Sequence, residues 1–342
     1  MMKFTVIAAK RGVVGVVAAA ALCAGAAAPG MADEARASAP RMLPQDCDRN
    51  CLYGFVDQYL DALAVRDATR LPWAPNARYT ENNVELSIGD GMWGTVTKLG
   101  DYKLKFADTL NGEVGFFGVV EETPSNTSGF ALRLKVEKRR ITEAETVVVR
   151  VADFGALAGG VNPFEKGKFV NKPILNENLA PAQRRPRERM ISIADGYFDT
   201  LQLNDGQLFT EFDPQCNRIE NGLQTTNNPE TPLGQISKLG CADQFKLGWY
   251  RYDDRLRARR YPLVDEERGL VFAMGFIDHS GRVGTYKLTD GKMAESPIRR
   301  PHSFYLMELF KIVDGKIRQI EAGFVTVPYN MPSPWTMESP AQ

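Results

Sequence analysis

The stretch Asp314-Gly315-Lys316-Ile317-Arg318-Gln319-Ile320-Glu321-Ala322-Gly323-Phe324-Val325-Thr326-Val327-Pro328 decides the fold. An Asp-Gly turn opens a run rich in β-branched and aromatic residues, the pattern of a hairpin's return strand. The stretch has an upstream twin. Leu134-Lys135-Val136 and Phe310-Lys311-Ile312 lie 176 residues apart, and at that offset Ile141 matches Ile317 and Glu145 matches Glu321. Working back toward the N-terminus, Asp108 and Gly112 match Asp265 and Gly269 at offset 157. Arg78 and Glu81-Asn82 match Arg218 and Glu220-Asn221, and Tyr59-Leu60-Asp61-Ala62-Leu63 matches Tyr197-Phe198-Asp199-Thr200-Leu201 at offset 138. Any one of these matches is too short to count. Four blocks in one order, with the drift absorbed in loops, argue for a tandem duplication.

Length fits this reading, since 342 residues are enough for about two domains. At 44% hydrophobic and 25% charged, the composition is ordinary for a globular protein. The N-terminus differs. Lys3, Lys10 and Arg11 precede the apolar run Gly12–Ala28, and small residues follow, so residues 1–32 read as a cleaved secretory signal peptide. Taking its three basic residues from 42 leaves 39 against 42 acidic, a net charge of −3. No basic field marks a nucleic-acid binder, and the short apolar run predicts no stable membrane anchor. Four cysteines remain, and in a periplasmic or secreted chain an even count predicts two disulfides. Chain order favours Cys47–Cys51 and Cys216–Cys241. No histidine lies near the first pair, so no metal site is expected.

Apolar spacing predicts a first helix over 51–66 and, in the second half, one that buries Ile191, Ala194, Phe198 and Leu201. Strands are predicted over 78–88, 102–109, 113–122, 129–137 and 141–151, with a short helix over 92–99. Residues 153–186 hold Gly159-Gly160 and four prolines and read as a linker. Beyond it, strands are predicted over 212–226, 269–278, 303–313 and 316–327, a helix over 241–259 and a loop over 285–301. The predicted architecture is α+β: two tandem cone-shaped units, 47–152 and 187–335, each a curved antiparallel sheet wrapped around helices.

This pattern resembles the SnoaL-like branch of the nuclear transport factor 2-like superfamily. The resemblance is carried by Tyr59-Leu60-Asp61-Ala62-Leu63 with Asp67, by Arg78-Tyr79-Thr80-Glu81-Asn82, and by Gly89-Asp90-Gly91-x-Trp93. In the second unit it is carried by Tyr197-Phe198 with Asn204-Asp205, and by Glu308-x-Phe310-Lys311-Ile312-x-Asp314-Gly315-Lys316-Ile317-x3-Glu321-Ala322. Members of that superfamily include ketosteroid isomerase, scytalone dehydratase, polyketide cyclases and cofactorless lyases of lignin-derived aromatics, while others only bind or scaffold. The resemblance implies a fold and transfers no catalytic residue.

Candidate chemistry concentrates in the second unit. If 241–259 is helical, Phe245, Trp249, Tyr252 and Leu256 form one stripe, to be read either as plain core or as a ligand wall. A buried phenol needs a partner, so Tyr252 stands out as an acid. His302, Phe304, Leu306, Glu308 and Phe310 alternate onto one strand face, which suits proton transfer by His302 with Glu308 orienting it. The plainer reading leaves His302 at a strand end in water and pairs Glu308 with an arginine such as Arg260 or Arg318. His279 follows Asp278 at a turn, where polar residues usually serve the turn itself. Tyr79 and Trp93 could line a second pocket in the first unit, which lacks histidine. The recurring Glu-Asn pairs point to a structural task. The run Arg255, Arg257, Arg259, Arg260 reads as a solvated helix face. No phosphate loop or serine-hydrolase elbow occurs.

The expected function is therefore an exported lyase, dehydratase or isomerase that needs no cofactor. It would act by acid–base chemistry on a hydrophobic, aromatic small molecule of the lignin-derived type. The alternative is a periplasmic or secreted binding protein for such a molecule. Homo-oligomerisation stays open, since the duplication would bury an interface that relatives use for dimers.

Overall fold

The repeated blocks become two six-stranded sheets of one plan in the computed structural model, which describes residues 46–123, 126–153, 162–164, 172–231 and 234–336. The first sheet holds β1 (Trp73–Glu81), β2 (Val84–Leu86), β3 (Lys98–Asp108), β4 (Glu113–Thr123), β5 (Asn126–Glu137) and β6 (Arg140–Val149) in the order β2-β1-β6-β5-β4-β3. The second holds β7 (Phe212–Glu220), β8 (Leu223–Gln224), β9 (Arg255–Asp265), β10 (Leu270–His279), β13 (His302–Val313) and β14 (Lys316–Val327) in the order β8-β7-β14-β13-β10-β9. Between them in sequence, β11 (Thr285–Lys287) and β12 (Met293–Glu295) pair as a separate ribbon. The architecture is mixed α+β. The sheets are not wholly antiparallel as predicted, because β1 runs parallel to β6 and β7 parallel to β14. Each unit's first strand is laid beside its last, in the same direction.

A helix covers one face of each sheet, called the inner face below. In α1 (Arg49–Ala64) Leu52, Phe55, Val56, Tyr59 and Leu63 are buried, and Asp48 caps the helix by accepting from the Cys51 N–H. In α2 (Arg187–Leu203) Met190, Ile193, Ala194, Tyr197, Phe198 and Leu201 are buried. Asn204, at φ 38°, ends α2 in the left-handed conformation that asparagine tolerates. Each buried aromatic of this kind contributes about 2 kcal/mol by leaving water.

Most repeated polar residues turn out to be structural. Asn82 and Asn221 both adopt positive φ. Asn82 Oδ1 accepts from Val148 N (2.9 Å) and Asn221 Oδ1 from Phe324 N (2.8 Å), so each pins the end of its parallel pair. Lys135 Nζ donates to Asn111 O and Lys311 Nζ to Arg268 O, closing the same hairpin turn in each unit. The aspartates complete a reciprocal clamp. Arg49, opening α1, binds Asp265 of the second unit, and Arg187, opening α2, binds Asp108 of the first. Arg49 and Arg187 are 138 residues apart, the helix offset of the duplication.

The faces turned away from the helices meet in a shared core containing Phe106, Phe117, Phe272, Met274, Tyr305 and Val325. Glu145 accepts there from Arg133 (2.8 Å), Arg260 and the Tyr305 hydroxyl, while its twin Glu321 accepts from the Tyr102 hydroxyl at 2.7 and 2.8 Å. Trp335 adds a C-terminal staple, its ring facing the guanidinium groups of Arg133, Arg78 and Arg260. A cavity of about 20 Å³ lies beside Tyr102, Phe117, Glu321 and Gly323, enough for about one water molecule. The described residues form one compact unit.

The structure corrects several local expectations. The helix predicted over 241–259 is short: α3 spans Cys241–Lys246, and the chain then turns and enters β9. Gly248, at φ 70°, takes the left-handed position that ends the helix. The arginine run is therefore on a strand, and it is ion-paired rather than solvated. The helix predicted over 92–99 is a single 3-10 turn, Gly91–Gly94. The strands predicted over 78–88 and 212–226 fold into hairpins at Asn82-Asn83 and Asn221-Gly222, and the predicted 285–301 loop contains the β11–β12 ribbon. Both expected disulfides form, with Cα–Cα distances of 5.2 and 5.7 Å. The signal peptide at 1–32 and the linker's Gly159-Gly160 lie outside the described residues.

Candidate active site on the inner face of the second sheet

Alternation on β13 sends His302, Phe304, Leu306, Glu308 and Phe310 to the inner face. Their partners across β10 are His279, Ile277, Gly275, Ala273 and Val271. On the other side Phe324 stands opposite Leu306, and Ala322 opposite Glu308. Glu220 and Arg218 of β7 continue the row beyond Ala322 and Ile320. One end is apolar core, where Tyr197 packs edge-on against Phe310 (5.0 Å) and Phe245 (5.3 Å). At the other end Ile277, His302, Phe304 and Phe324 are only half-buried.

Both histidines of the chain meet at this half-buried end. His279 is 1% exposed, and its Nε2 lies 2.8 Å from Oδ1 of buried Asp253. Its Nδ1 is buried and has no hydrogen-bond partner among the described residues. The His302 ring stacks on it at 4.7 Å. His302 Nδ1 lies 2.9 Å from the Arg300 carbonyl. A carbonyl only accepts, so this nitrogen carries the proton and Nε2 keeps a free lone pair. Burial holds the His302 pKa below the ordinary histidine value. Burial also raises the Asp253 carboxyl, with the His279 hydrogen bond opposing, and pushes the Tyr252 hydroxyl well above the usual phenol range. Tyr252 thus remains a proton donor, with its ring 6.4 Å from His279.

Deeper in, a polar network occupies the inner face. The guanidinium of Arg218 is buried and donates to Gln244 Oε1 (2.7 Å), Thr225 Oγ1 (3.2 Å) and the Tyr250 and Tyr197 hydroxyls. Glu220 pairs with it at 3.3 Å. Glu308 is raised to about 8, chiefly by burial and then by the Glu220 charge, with Arg218 and Tyr197 pulling in the opposite direction. At neutral pH it therefore holds its proton. The Cys216–Cys241 disulfide ties β7 to α3, two residues before Arg218 and three before Gln244.

Of the residues singled out in the sequence, the structure brings Tyr252, His279 and His302 together. Glu308 is not the partner of His302: the two stand on the same face but six residues apart, and Glu308 joins Arg218, Tyr197 and Glu220. Asp253 binds a histidine instead, and that histidine is His279. Phe245 and Leu256 are core residues, and Trp249 is half-buried, with its carbonyl accepting from the Tyr286 hydroxyl. In the first unit Tyr79 and Trp93 are each 1% exposed within a filled core, Trp93 lying edge-on to Tyr59 at 5.0 Å. Sequence reasoning missed Asp253, Arg218, Tyr197, Gln244 and Tyr250. The alternation of Cys216, Arg218 and Glu220 along β7 was the available signal for Arg218; nothing local marked Asp253, 26 residues from its partner.

Residues 183–324, from just before α2 into β14, match a family model described as a domain of unknown function, DUF8021. No curated protein matches the chain. Among solved structures, it is similar to a protein from Sphaerobacter thermophilus, at 13% identity over 28% of this chain and 94% of that one, TM-score 0.24. AclR from Streptomyces galilaeus aligns at 13% identity over 30% and 81%, TM-score 0.24. The C. albicans Mtr2–Mex67 M domain complex aligns at 16% over 42% and 98%, TM-score 0.25. At TM-scores this low, the fold assignment rests on the sheets themselves.

Proposed function

We propose that the second unit is an acid–base site and that the protein is an exported lyase, dehydratase or isomerase of an aromatic small molecule. In this reading its own side chains carry the proton transfers, without a cofactor. The observation behind it is the buried Asp253–His279 pair with His302 stacked upon it at the aromatic, half-buried end of the inner face. In an elimination, His302 Nε2 takes a proton from a carbon of the substrate. The C–H electron pair becomes the new double bond, and the leaving oxygen departs with a proton supplied by Tyr252. Asp253 holds His279 in one orientation beneath the reacting imidazole. Export accords with the two disulfides. No helix of the described residues is long and apolar enough to cross a membrane.

The test is incubation with a panel of lignin-derived aromatics and steroid or polyketide surrogates, with products followed by mass spectrometry. Turnover that survives a chelator and drops about 100-fold in His302→Gln is expected. Because burial lowers the His302 pKa, the base stays free to lower pH than an ordinary imidazole would, and the rate should fall on acidification. A second reading, a binding module, is favoured by the aromatic pair Phe304–Phe324, with ring centroids 4.9 Å apart. Thermal stabilisation by an aromatic compound, with no product from any, would decide for it.

A further inference from the structure

The arginines around the site divide into paired and unpaired. Arg255 and Arg257 share Asp278, Arg259 takes Asp195 and Asp199, Arg260 takes Glu145, and Arg299 takes Glu295. Arg251, Arg282 and Arg300 are exposed and form no ion pair among the described residues. Two of them, Arg282 and Arg300, arrive from segments that converge on the histidines. Arg251 precedes Tyr252-Asp253, in a turn tied to β10 by Asp254 N donating to Asp278 O (2.9 Å), but its guanidinium lies against Gly248. Arg282 follows His279 by three residues, and the Gly281 between them lies against the Arg299–Arg300 backbone. Arg300 supplies the carbonyl that holds His302. The acids nearby are engaged: Asp253 with His279, Asp278 with two arginines, Glu295 with Arg299. Asp254, which caps the Ser280 N–H, is exposed and forms no ion pair among the described residues.

A second observation points to a ligand. His279 Nδ1 is a buried hydrogen-bonding position that the described residues leave open. Beside it, Phe304 and Phe324 offer half-buried ring faces. We propose that the site takes an aromatic carboxylate, with the ring against Phe304 and Phe324 and the carboxylate at the Arg282–Arg300 rim. The proposal rests on the site assigned above and narrows its substrate class. It requires binding but not turnover.

The experiment exploits the fact that the chain has only two histidines. Their imidazole signals are followed by NMR while the purified protein is titrated with 4-hydroxycinnamate or with its methyl ester, which has the same ring and no charge. The acid is expected to saturate both signals at a concentration about tenfold lower than the ester, with the advantage shrinking as salt screens the rim. Arg282→Gln and Arg300→Gln should each weaken the acid about threefold and leave the ester unchanged, while Arg66→Gln in the first unit alters neither. Equal binding of acid and ester, no response of either histidine to the acid, or arginine variants that bind the acid like wild type would each overturn the proposal. Binding of the acid without product from any compound would keep this inference and discard the catalytic one.

Discussion

The inner faces of the two sheets have the same plan and opposite contents. At the position where β5 carries Leu132, opposite Phe116 and Thr146, β13 carries Glu308, opposite Ala273 and Ala322. Where β1 carries Tyr79 beside Ala144, β7 carries Arg218 beside Ile320. The first unit thus closes its interior with phenylalanine, leucine, tyrosine and tryptophan. The second gives up two aromatic rings of the first, Phe116 for Ala273 and Tyr79 for Arg218, and places a protonated glutamate and a buried, hydrogen-bonded arginine on the inner face.

This contrast can be tested by exchanging residues between the units. Leu132→Glu puts a carboxylate where no arginine waits and should cost at least about 4 kcal/mol in denaturant unfolding. The reverse exchange, Glu308→Leu, should cost less than about 1.5 kcal/mol or be stabilising; equal costs would mean that the two interiors do not differ as described. Arg218→Met strips Glu220 of its counter-charge and leaves the buried Gln244 oxygen short of a donor, and should cost about 3–5 kcal/mol. Tyr79→Phe, its counterpart, removes one hydroxyl and should cost about 1 kcal/mol.

The reciprocal clamp sharpens the comparison where the units are alike. Arg49→Ala and Arg187→Ala should each cost about 2 kcal/mol, since each leaves a buried aspartate short of a charged partner. A cost borne by only one of them would show the clamp to be symmetric in geometry alone. The pH dependence is smaller. Glu308 is raised in the folded state, so its contribution is complete below about pH 4.5 and is lost as pH rises through about 8. The slope should reach at most about 1.4 kcal/mol per pH unit and disappear in Glu308→Gln. His302→Gln should change stability by less than about 0.5 kcal/mol, because its half-exposed ring donates only to one carbonyl.

Legibility in the sequence followed the range of the interaction. The offset matches were readable because each block is local: a helix stripe, a turn, a return strand. They led to the shared sheet plan and to the alternation that puts His302 and Glu308 on one face. The register-true partner of Arg218 is Tyr79, not the neighbouring Arg78 that the sequence match selected. A one-residue slip of that kind exchanges the two faces of a strand and stays invisible until pairing fixes it. The stripe over 241–259 misled because Phe245, Trp249, Tyr252 and Leu256 fit a helical period by coincidence, while Gly248 breaks the helix after two turns.

The sequence by itself determined the duplication, the α+β class, both disulfide pairs and the strand face that bears the histidine and the glutamate. All of these follow from spacings of a few residues or from whole-chain repetition. Only the tertiary structure decided which groups meet. Asp253 reaches His279 because the chain turns at Gly248 and Asp254 then docks on β10. Arg49 reaches Asp265 because two sheets pack face to face. The Asp253–His279 pair depends on a backbone reversal and the clamp on a packed interface, and neither leaves a pattern in neighbouring residues.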